Sequence, residues 1–159
     1  MTIQSDKSII ELIQKDEIII NPFRKGNLTP NGYDLTVHEI EIPEKQRISN
    51  DKLIIPPGER FAVSTKEVIS CGENYCAQLW LRTSWARKGI ICSFGKIDSG
   101  FKGNLTLLGL NASKDEVKIE IGNTFAQIVF EKLSTSADEL YSERSGNYQN
   151  QKGITWSKE

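Results

Sequence analysis

After the tripeptide NPF at residues 21–23, short β-prone runs alternate with turn signals, and this alternation constrains the fold more than any other feature of the sequence. The turns contain Pro-Pro-Gly, Asn-Gly or Lys-Gly, which are typical of connections between antiparallel strands. Seven runs lie between residues 28 and 130: LTPNGYDLTV, KLIIPPGERFAV, YCAQLWLRT, GIICSF, NLTLLGL, VKIEI and TFAQIVF. Strands at this spacing predict a closed or sandwiched antiparallel β-fold.

The residues before NPF predict one short helix. Ser5 can act as its N-cap, since a serine hydroxyl accepts a hydrogen bond from an exposed backbone amide of the first turn. The apolar residues that follow have helical spacing: Ile9, Ile10, Leu12 and Ile13. A chain of 159 residues without a linker-like segment is expected to fold as one domain. We assign this β-rich domain and its helix to residues 1–133.

The end of the chain, residues 134–159, loses the apolar alternation and becomes mostly polar. It still carries three spaced aromatic residues, Tyr141, Tyr148 and Trp156. Two interpretations are open from composition: plain disorder, or a flexible tail that folds over a ligand and stacks its rings on it.

The charge balance limits the partners of the chain. Its 20 Lys and Arg against 21 Asp and Glu give a net charge of −1. This offers no general attraction to nucleic acid or to an acidic membrane, so any anion must bind locally. No apolar stretch has the length of a signal peptide core or a membrane span. We expect a soluble, cytoplasmic protein.

The three cysteines, Cys71, Cys76 and Cys92, are an odd number without CxxC spacing. A single histidine, His38, accompanies them. We therefore expect buried or semi-buried thiols rather than a zinc site or a disulfide framework.

The segment LRTSWARKGI, residues 81–90, contains two arginines, Arg82 and Arg87, with two hydroxyl residues, Thr83 and Ser84. Guanidinium groups suit phosphate oxygens because their donors are planar, bidentate and permanently charged. Surface salt bridges are the alternative, and for two arginines alone they are the simpler interpretation.

Two aspartates lie where a carboxylate needs an explanation. Asp98, in KIDSGFKGN, is predicted at a hairpin tip, where it could take a proton from water or form an ordinary Asx-turn. Asp34, in NGYDL, lies inside a strand pattern and should be either paired with an arginine or close to a metal.

Four segments, in chain order, resemble motifs of the dCTP deaminase and trimeric dUTPase superfamily: NGYDL, LRTSWARKGI, KIDSGFKGN and IGNTFAQIVF. The opening helix with NPF and the ending YSERSGNYQNQKGITWS resemble the deaminase branch, particularly its archaeal bifunctional members. The resemblance covers nearly the whole chain. It implies a distorted jelly-roll, or β-clip, fold.

The resemblance also implies roles for individual residues. Asp98 would activate the water that attacks the α-phosphate of a nucleoside triphosphate, and Phe101 would pack under the deoxyribose and exclude a 2′-hydroxyl. Asp34 would lie near Mg²⁺ through water. The phosphate ligands would be Arg82, Thr83, Ser84, Arg87 and Gln127, and the tail would close through Tyr148 and Gln151. Family deaminases usually have a lysine before that tyrosine, where this chain has Asn147, with Lys152 nearby.

Two departures from the deaminase pattern predict hydrolysis of dUTP to dUMP and pyrophosphate. The family's deaminases place a proton-shuttling glutamate in the strand after the IDxGFxG motif, where NLTLLGLN has Leu108. Seven residues separate Gly89 from Ile97, whereas deaminases have a longer loop with a histidine. A dCTP deaminase, a bifunctional deaminase-dUTPase and a catalytically silent nucleotide-binding regulator remain the alternatives.

The resemblance finally implies a homotrimer with active sites at the subunit interfaces. The arginine segment and Asp98 would come from different chains, and the tail, residues 134–159, would close over the site of the catalytic domain.

Overall fold

The structure is a computed structural model that describes residues 2–157. Over these residues it consists mainly of antiparallel strands; two short helices lie between strands, and a third follows the last strand. The strands are β1 (Thr2–Ile3), β2 (Ile18–Asn21), β3 (Leu28–Thr29), β4 (Gly32–Ile42), β5 (Gln46–Ile48), β6 (Lys52–Ile55), β7 (Arg60–Thr65), β8 (Val68–Cys71), β9 (Tyr75–Leu81), β10 (Ile90–Cys92), β11 (Lys96–Ile97), β12 (Lys102–Gly103), β13 (Thr106–Asn111), β14 (Val117–Glu120) and β15 (Thr124–Lys132). The helices are α1 (Asp6–Gln14), α2 (Thr83–Ala86) and α3 (Tyr141–Arg144), and a 3-10 turn covers Lys25–Asn27.

Most strands belong to one curled antiparallel sheet of ten strands. Its main path is β10-β13-β7-β4-β15-β9-β11, while β1 pairs with β15, and β3 and β5 pair with β4. A three-stranded sheet, β12-β8-β2, and a two-stranded one, β14-β6, complete the domain. The prediction of a mainly β, distorted jelly-roll fold is confirmed.

Helix α1 begins where the sequence predicts. The Ser5 hydroxyl accepts a hydrogen bond from the Ser8 backbone amide at 3.3 Å. Ile9 and Leu12, one turn apart on the same face, are buried in the core. Over residues 2–157, none of the helices is long and apolar enough to span a bilayer.

An aromatic cluster attaches α2 to the main sheet. The ring centroids of Trp85 and Phe125 are 5.6 Å apart, and those of Phe125 and Phe61 are 6.0 Å apart in an edge-to-face contact. The Trp85 indole N–H also donates to the carbonyl of Thr124 at 2.9 Å. Because these contacts anchor α2, they fix the position of the arginine-containing segment 82–87.

The cysteines match the expectation. Cys71 and Cys76 are buried, Cys92 is partly buried, and all three are free thiols. Burial raises the pKa of Cys92 to about 12, so this thiol is protonated and poorly nucleophilic at neutral pH.

The chain after β15 lies against the domain. The backbone amide of Tyr141, at the start of α3, donates to the Ser99 carbonyl at 2.9 Å. Farther along, the amide of Asn150 donates to the Lys102 carbonyl at 2.7 Å. The described part of the tail is thus folded back on its own chain. Its mobility without a ligand remains a prediction.

Candidate functional site

Asp98 lies in the turn between β11 and β12. These strands do not pair with each other, because β11 pairs with β9 and β12 with β8; the predicted hairpin is therefore wrong, and the turn links two sheets. The amide of Phe101 donates to the Asp98 carbonyl at 3.2 Å, and that of Gly100 donates to the Cys71 carbonyl at 2.8 Å. Gly100 has a φ of +82°, and a Cβ there would lie 2.7 Å from the Leu140 Cβ. A glycine is needed for this turn.

The side chain of Asp98 points away from the core and is exposed. Within residues 2–157, its carboxylate has no hydrogen-bond or ion-pair partner. The hydrogen bond of an Asx-turn is therefore not formed by Asp98. An exposed carboxylate without a partner can accept a proton from water.

A cavity of about 430 Å³ opens beside Asp98. Four residues singled out from the sequence contribute to its wall: Asp98, Phe101, Tyr148 and Gln151. The rest of its lining is Leu79, Gly95, Lys96, Ile97, Leu105, Thr106, Leu108, Tyr141, Thr155, Trp156 and Ser157. Among these described residues, Asp98 is the only carboxylate and Lys96 the only cation. The volume is in the usual range for small-molecule sites.

Aromatic rings form one side of the Asp98 cavity. Phe101 is 6% exposed, and its ring lies edge-to-face against Tyr141, with centroids 5.5 Å apart. The Tyr141 hydroxyl accepts a hydrogen bond from the Tyr148 backbone amide at 3.0 Å. The tail therefore packs against the Asp98 turn through the aromatic contact between Tyr141 and Phe101.

The tail is fastened next to Gln151 by a reciprocal contact with Asn104. The Asn104 amide donates to the Gln151 carbonyl at 3.0 Å, and the Gln151 side chain donates to the Asn104 carbonyl at 2.5 Å. Two further anchors of the tail are on β4: the Glu39 carboxylate accepts a hydrogen bond from the Ile154 amide at 2.9 Å, and the Glu41 carboxylate accepts one from the Trp156 indole N–H at 2.8 Å.

The arginine segment lies elsewhere on the chain. Arg82 and Ser84 line a smaller cavity of about 220 Å³ with Lys88 and Thr124. Arg87 lines another cavity, next to Gly89. No residue of these two cavities lines the Asp98 cavity, within the part of the chain that the structure describes. Within one chain, Arg82, Ser84 and Arg87 therefore do not lie beside the predicted base, Asp98.

Thr83 and Gln127 also lie outside the Asp98 cavity. Thr83 is exposed at the first position of α2. The Gln127 side-chain amide donates to the Thr29 hydroxyl at 2.7 Å.

Asp34 is paired with an arginine, which is one of the two alternatives that the sequence left open. Its Oδ2 lies 3.1 Å from Nε of Arg82, and Arg82 also contacts the Thr124 hydroxyl. Burial raises the pKa of Asp34, while the charge of Arg82 opposes the rise. The strand register brings Asp34 close to Arg82. Gln127 on β15 pairs with Asp34 on one side and on the other with Trp80 of β9, two residues before Arg82.

No cluster of three or more His, Cys, Asp or Glu side chains suitable for a metal ion occurs within residues 2–157. Asp34 is not part of the Asp98 cavity, so Asp98 has no second carboxylate beside it among the described lining residues.

Two further residues of the Asp98 cavity, Lys96 and Leu108, bear on its chemistry. Lys96 lines the cavity, and its Nζ lies 3.4 Å from a Glu131 carboxylate oxygen. Lys96 was not singled out from the sequence, although it lies two positions before Asp98 in the segment KIDSGFKGN. Leu108 of β13 is 44% exposed and lines the same cavity.

Comparison with known families decides the relationship of the chain. The family described as dCTP deaminase-like matches residues 37–133, which is more than half of the chain. This chain belongs to the dCTP deaminase-like family. The matched region contains Arg82, Asp98 and Phe101, and it ends before Tyr148 and Gln151.

Relatives of this family member carry two different names. The dCTP deaminase of Thermococcus gammatolerans is 39% identical over 145 residues, which are 89% of this chain and 90% of the relative. A probable deoxyuridine 5'-triphosphate nucleotidohydrolase of Sulfolobus islandicus rod-shaped virus 1 is 33% identical over 160 residues, which are 99% of both chains. The chain is therefore a member of the dCTP deaminase and dUTPase superfamily.

Solved structures show the same fold. The dCTP deaminase of Agrobacterium tumefaciens matches 83% of this chain with a TM-score of 0.70 at 17% identity. The match covers 49% of the solved chain, so this family member spans about half the length of that deaminase. The native EIAV dUTPase matches 76% of this chain and 88% of its own, with a TM-score of 0.54 at 22% identity.

Proposed function

We propose that this protein is a dUTP diphosphatase, which hydrolyses dUTP to dUMP and pyrophosphate. The observation that carries the proposal is the composition of the Asp98 cavity. Among its described lining residues there is one carboxylate, Asp98, and the apolar Leu108 occupies the wall where the family resemblance expects the glutamate of a deaminase.

The proposed reaction needs one base. Asp98 accepts a proton from a water molecule, whose oxygen forms a bond to the α-phosphorus. The bond between this phosphorus and the bridging oxygen to the β-phosphate breaks, and pyrophosphate leaves. Catalysis of such a step rests mainly on positioning and on neutralising charge. The exposed, unpartnered carboxylate supports this role for Asp98.

Deamination of dCTP places a further demand on the site. A group must carry protons between water, the ring nitrogen and the departing ammonia. Leu108 has no titratable group, and Lys96 is held near Glu131. The lining therefore supports hydrolysis better than deamination.

The aromatic side of the cavity supports binding of a deoxynucleoside. Phe101 and Tyr141 offer an apolar surface to the sugar, and bulk at this position would exclude a 2′-hydroxyl without a hydrogen bond. Tyr148 and Gln151 would enclose the nucleotide when the tail is in place.

The phosphate ligands are proposed to come from a second copy of the chain. Arg82, Thr83, Ser84, Arg87 and Gln127 lie away from Asp98 within one chain, so the complete site requires a neighbouring subunit. A homotrimer with three interface sites meets this requirement, and three large apolar side chains, Ile3, Trp80 and Ile91, are more than half exposed on the domain.

Magnesium is proposed to enter with the triphosphate. Mg²⁺ is usually held by one or two carboxylates and by substrate phosphates, and it retains several waters. The described residues fit such an ion better than a resident one, because they contain no ligand cluster. Asp34, paired with Arg82, would reach it only through water. Bound in this way, the ion would neutralise charge on the phosphates.

Substitution of the base tests the proposal. In Asp98→Asn, which preserves size and polarity, we expect pyrophosphate release from dUTP to fall on the order of 100- to 10,000-fold. The Kd for dUTP should change little. Asp51→Asn, at an exposed carboxylate away from the cavity, is the matched control and should retain activity. Full activity in Asp98→Asn would contradict the assignment of the base.

A dCTP deaminase or a bifunctional enzyme is the second candidate, favoured by the name of the Thermococcus gammatolerans relative at 39% identity. Ammonia release from dCTP distinguishes it. A catalytically silent nucleotide-binding regulator, the third candidate, would release neither product, and it has little use for the free carboxylate of Asp98.

A further inference from the structure

A second cavity of about 620 Å³ shares Gln151 with the Asp98 cavity. One arginine and three lysines line it, together with His38: Arg47, Lys66, Lys102 and Lys152. Lys152, the cation that follows Gln151 in the tail, is part of this second lining. It is absent from the described lining of the first.

The second cavity concentrates positive charge in a chain whose net charge is −1. Lys66, Lys102 and Lys152 have no carboxylate oxygen within 4.0 Å among residues 2–157, while Arg47 is paired with Glu41. The one carboxylate of the lining, Glu39, is engaged by the tail amide of Ile154. Like charges repel, so three unpaired ammonium groups around one space favour an anionic occupant.

We propose that this second cavity binds a polyphosphate, either inorganic or part of a nucleotide, at a site separate from Asp98. Lysine ammonium groups bind phosphate oxygens as point charges with three donors each. The lysines come from separate segments, which suits a ligand with several charged groups. The volume is that of a small-molecule site, and the net charge of the chain offers no general attraction to a nucleic acid.

The ligand would connect the domain with the tail. Lys66 follows β7 and Lys102 lies on β12, whereas Lys152 belongs to the tail. A polyphosphate bound among them would favour the docked tail, and with it the position of Gln151 in the Asp98 cavity. A ligand that binds only the docked state stabilises that state by the factor 1 + [L]/Kd. This inference goes beyond the proposed function and does not depend on it.

Hydrogen exchange of the tail amides in the full-length protein tests the inference without an activity assay. At about 100 times the Kd of tripolyphosphate, protection of the amides of Asn150 and Ile154 should increase on the order of 100-fold. The increase should be lost in Lys66→Glu/Lys102→Glu. It should persist in the control Lys132→Glu, which alters an exposed lysine that lines neither cavity.

Three ligands identify the source of the phosphate. Equal protection by tripolyphosphate and GTP indicates that the phosphate chain alone is recognised, and stronger protection by GTP indicates a nucleotide. Protection only by a single-stranded oligonucleotide would overturn the proposal, as would protection by tripolyphosphate that survives in the double variant. If the double variant does not fold, Lys66→Gln serves in its place, and an unchanged Kd for tripolyphosphate would be equally contradictory.

Discussion

The ring of Phe101 lies edge-to-face against the ring of Tyr141, with centroids 5.5 Å apart. Phe101 belongs to the turn that carries Asp98, and Tyr141 begins the tail helix α3. The Tyr141 hydroxyl also accepts a hydrogen bond from the Tyr148 amide. The contact between Phe101 and Tyr141 therefore connects the turn of the proposed base, Asp98, with the tail that is the proposed lid.

Replacement of Phe101 should weaken the discrimination between deoxyribose and ribose. In Phe101→Ala, we expect the ratio of kcat/KM for dUTP over UTP to fall about 10-fold or more, since bulk rather than a hydrogen bond excludes the 2′-hydroxyl. Tyr141→Phe, which keeps the ring, should preserve the ratio. An unchanged ratio in a folded Phe101→Ala protein would assign Phe101 to the core alone.

Removal of residues 146–159 should separate folding from catalysis. We expect the β-sheet circular dichroism to persist, because most buried side chains lie before residue 134. Turnover of dUTP should fall on the order of 100-fold or more, since Tyr148 and Gln151 are lost from the cavity. A protein shortened only by residues 158–159 is the control. Full activity of the variant without residues 146–159 would contradict a role of the tail as a lid.

Complementation should show whether two chains build one site. Asp98→Asn and Arg87→Ala should each be inactive. Co-expressed, they should regain about a quarter of the wild-type activity, because random assembly restores about one site in four when base and arginine come from different subunits. Light scattering should report a trimer. A monomeric mass, or an absence of rescue in verified mixed oligomers, would contradict the interface site.

Glu67 should impose a pH-dependent cost on stability. Its side chain is 1% exposed, and burial raises its pKa above the ordinary 4.5, although the Thr36 amide donates to it at 2.9 Å. A raised folded-state pKa means that the native state holds the proton more tightly than the unfolded state. Stability is therefore lost as the pH rises from the unfolded pKa through the raised one.

Glu67→Gln removes this titration and keeps an acceptor oxygen for the Thr36 amide. We expect its Tm to exceed that of the wild type by a margin that widens from about pH 4 to pH 7. The exposed control Glu73→Gln should show little widening. A margin that does not vary with pH would mean that Glu67 titrates alike in both states.

The sequence predicts local features of this protein better than its long-range contacts. The Ser5 cap and the β-prone runs are local, and the structure has both. The hairpin at Asp98 fails because β11 and β12 find partners elsewhere, which turn residues cannot reveal. The Asp34–Arg82 pair depends on two strands that flank β15, and the Glu39–Ile154 contact joins positions 115 residues apart.

Some site residues follow from the motif and others do not. Asp98 and Phe101 were named from one segment, and they line the same cavity. The arginines came from another segment, and no periodicity indicates that a single chain keeps them apart from Asp98. Lys96 lies two positions before Asp98 and could have been found from this proximity, whereas the second cavity with Lys66 and Lys102 depends on long-range contacts of the fold.

We propose that the cavity with Asp98 and Leu108 hydrolyses dUTP and does not deaminate dCTP. One assay of the full-length protein tests it most directly, by measuring pyrophosphate released from dUTP and ammonia released from dCTP in parallel with Mg²⁺ present. We expect pyrophosphate from dUTP, with its release lost in Asp98→Asn, and no ammonia from dCTP. Ammonia released at a rate comparable to dUTP hydrolysis would contradict it and show that another group performs the proton transfers that Leu108 cannot.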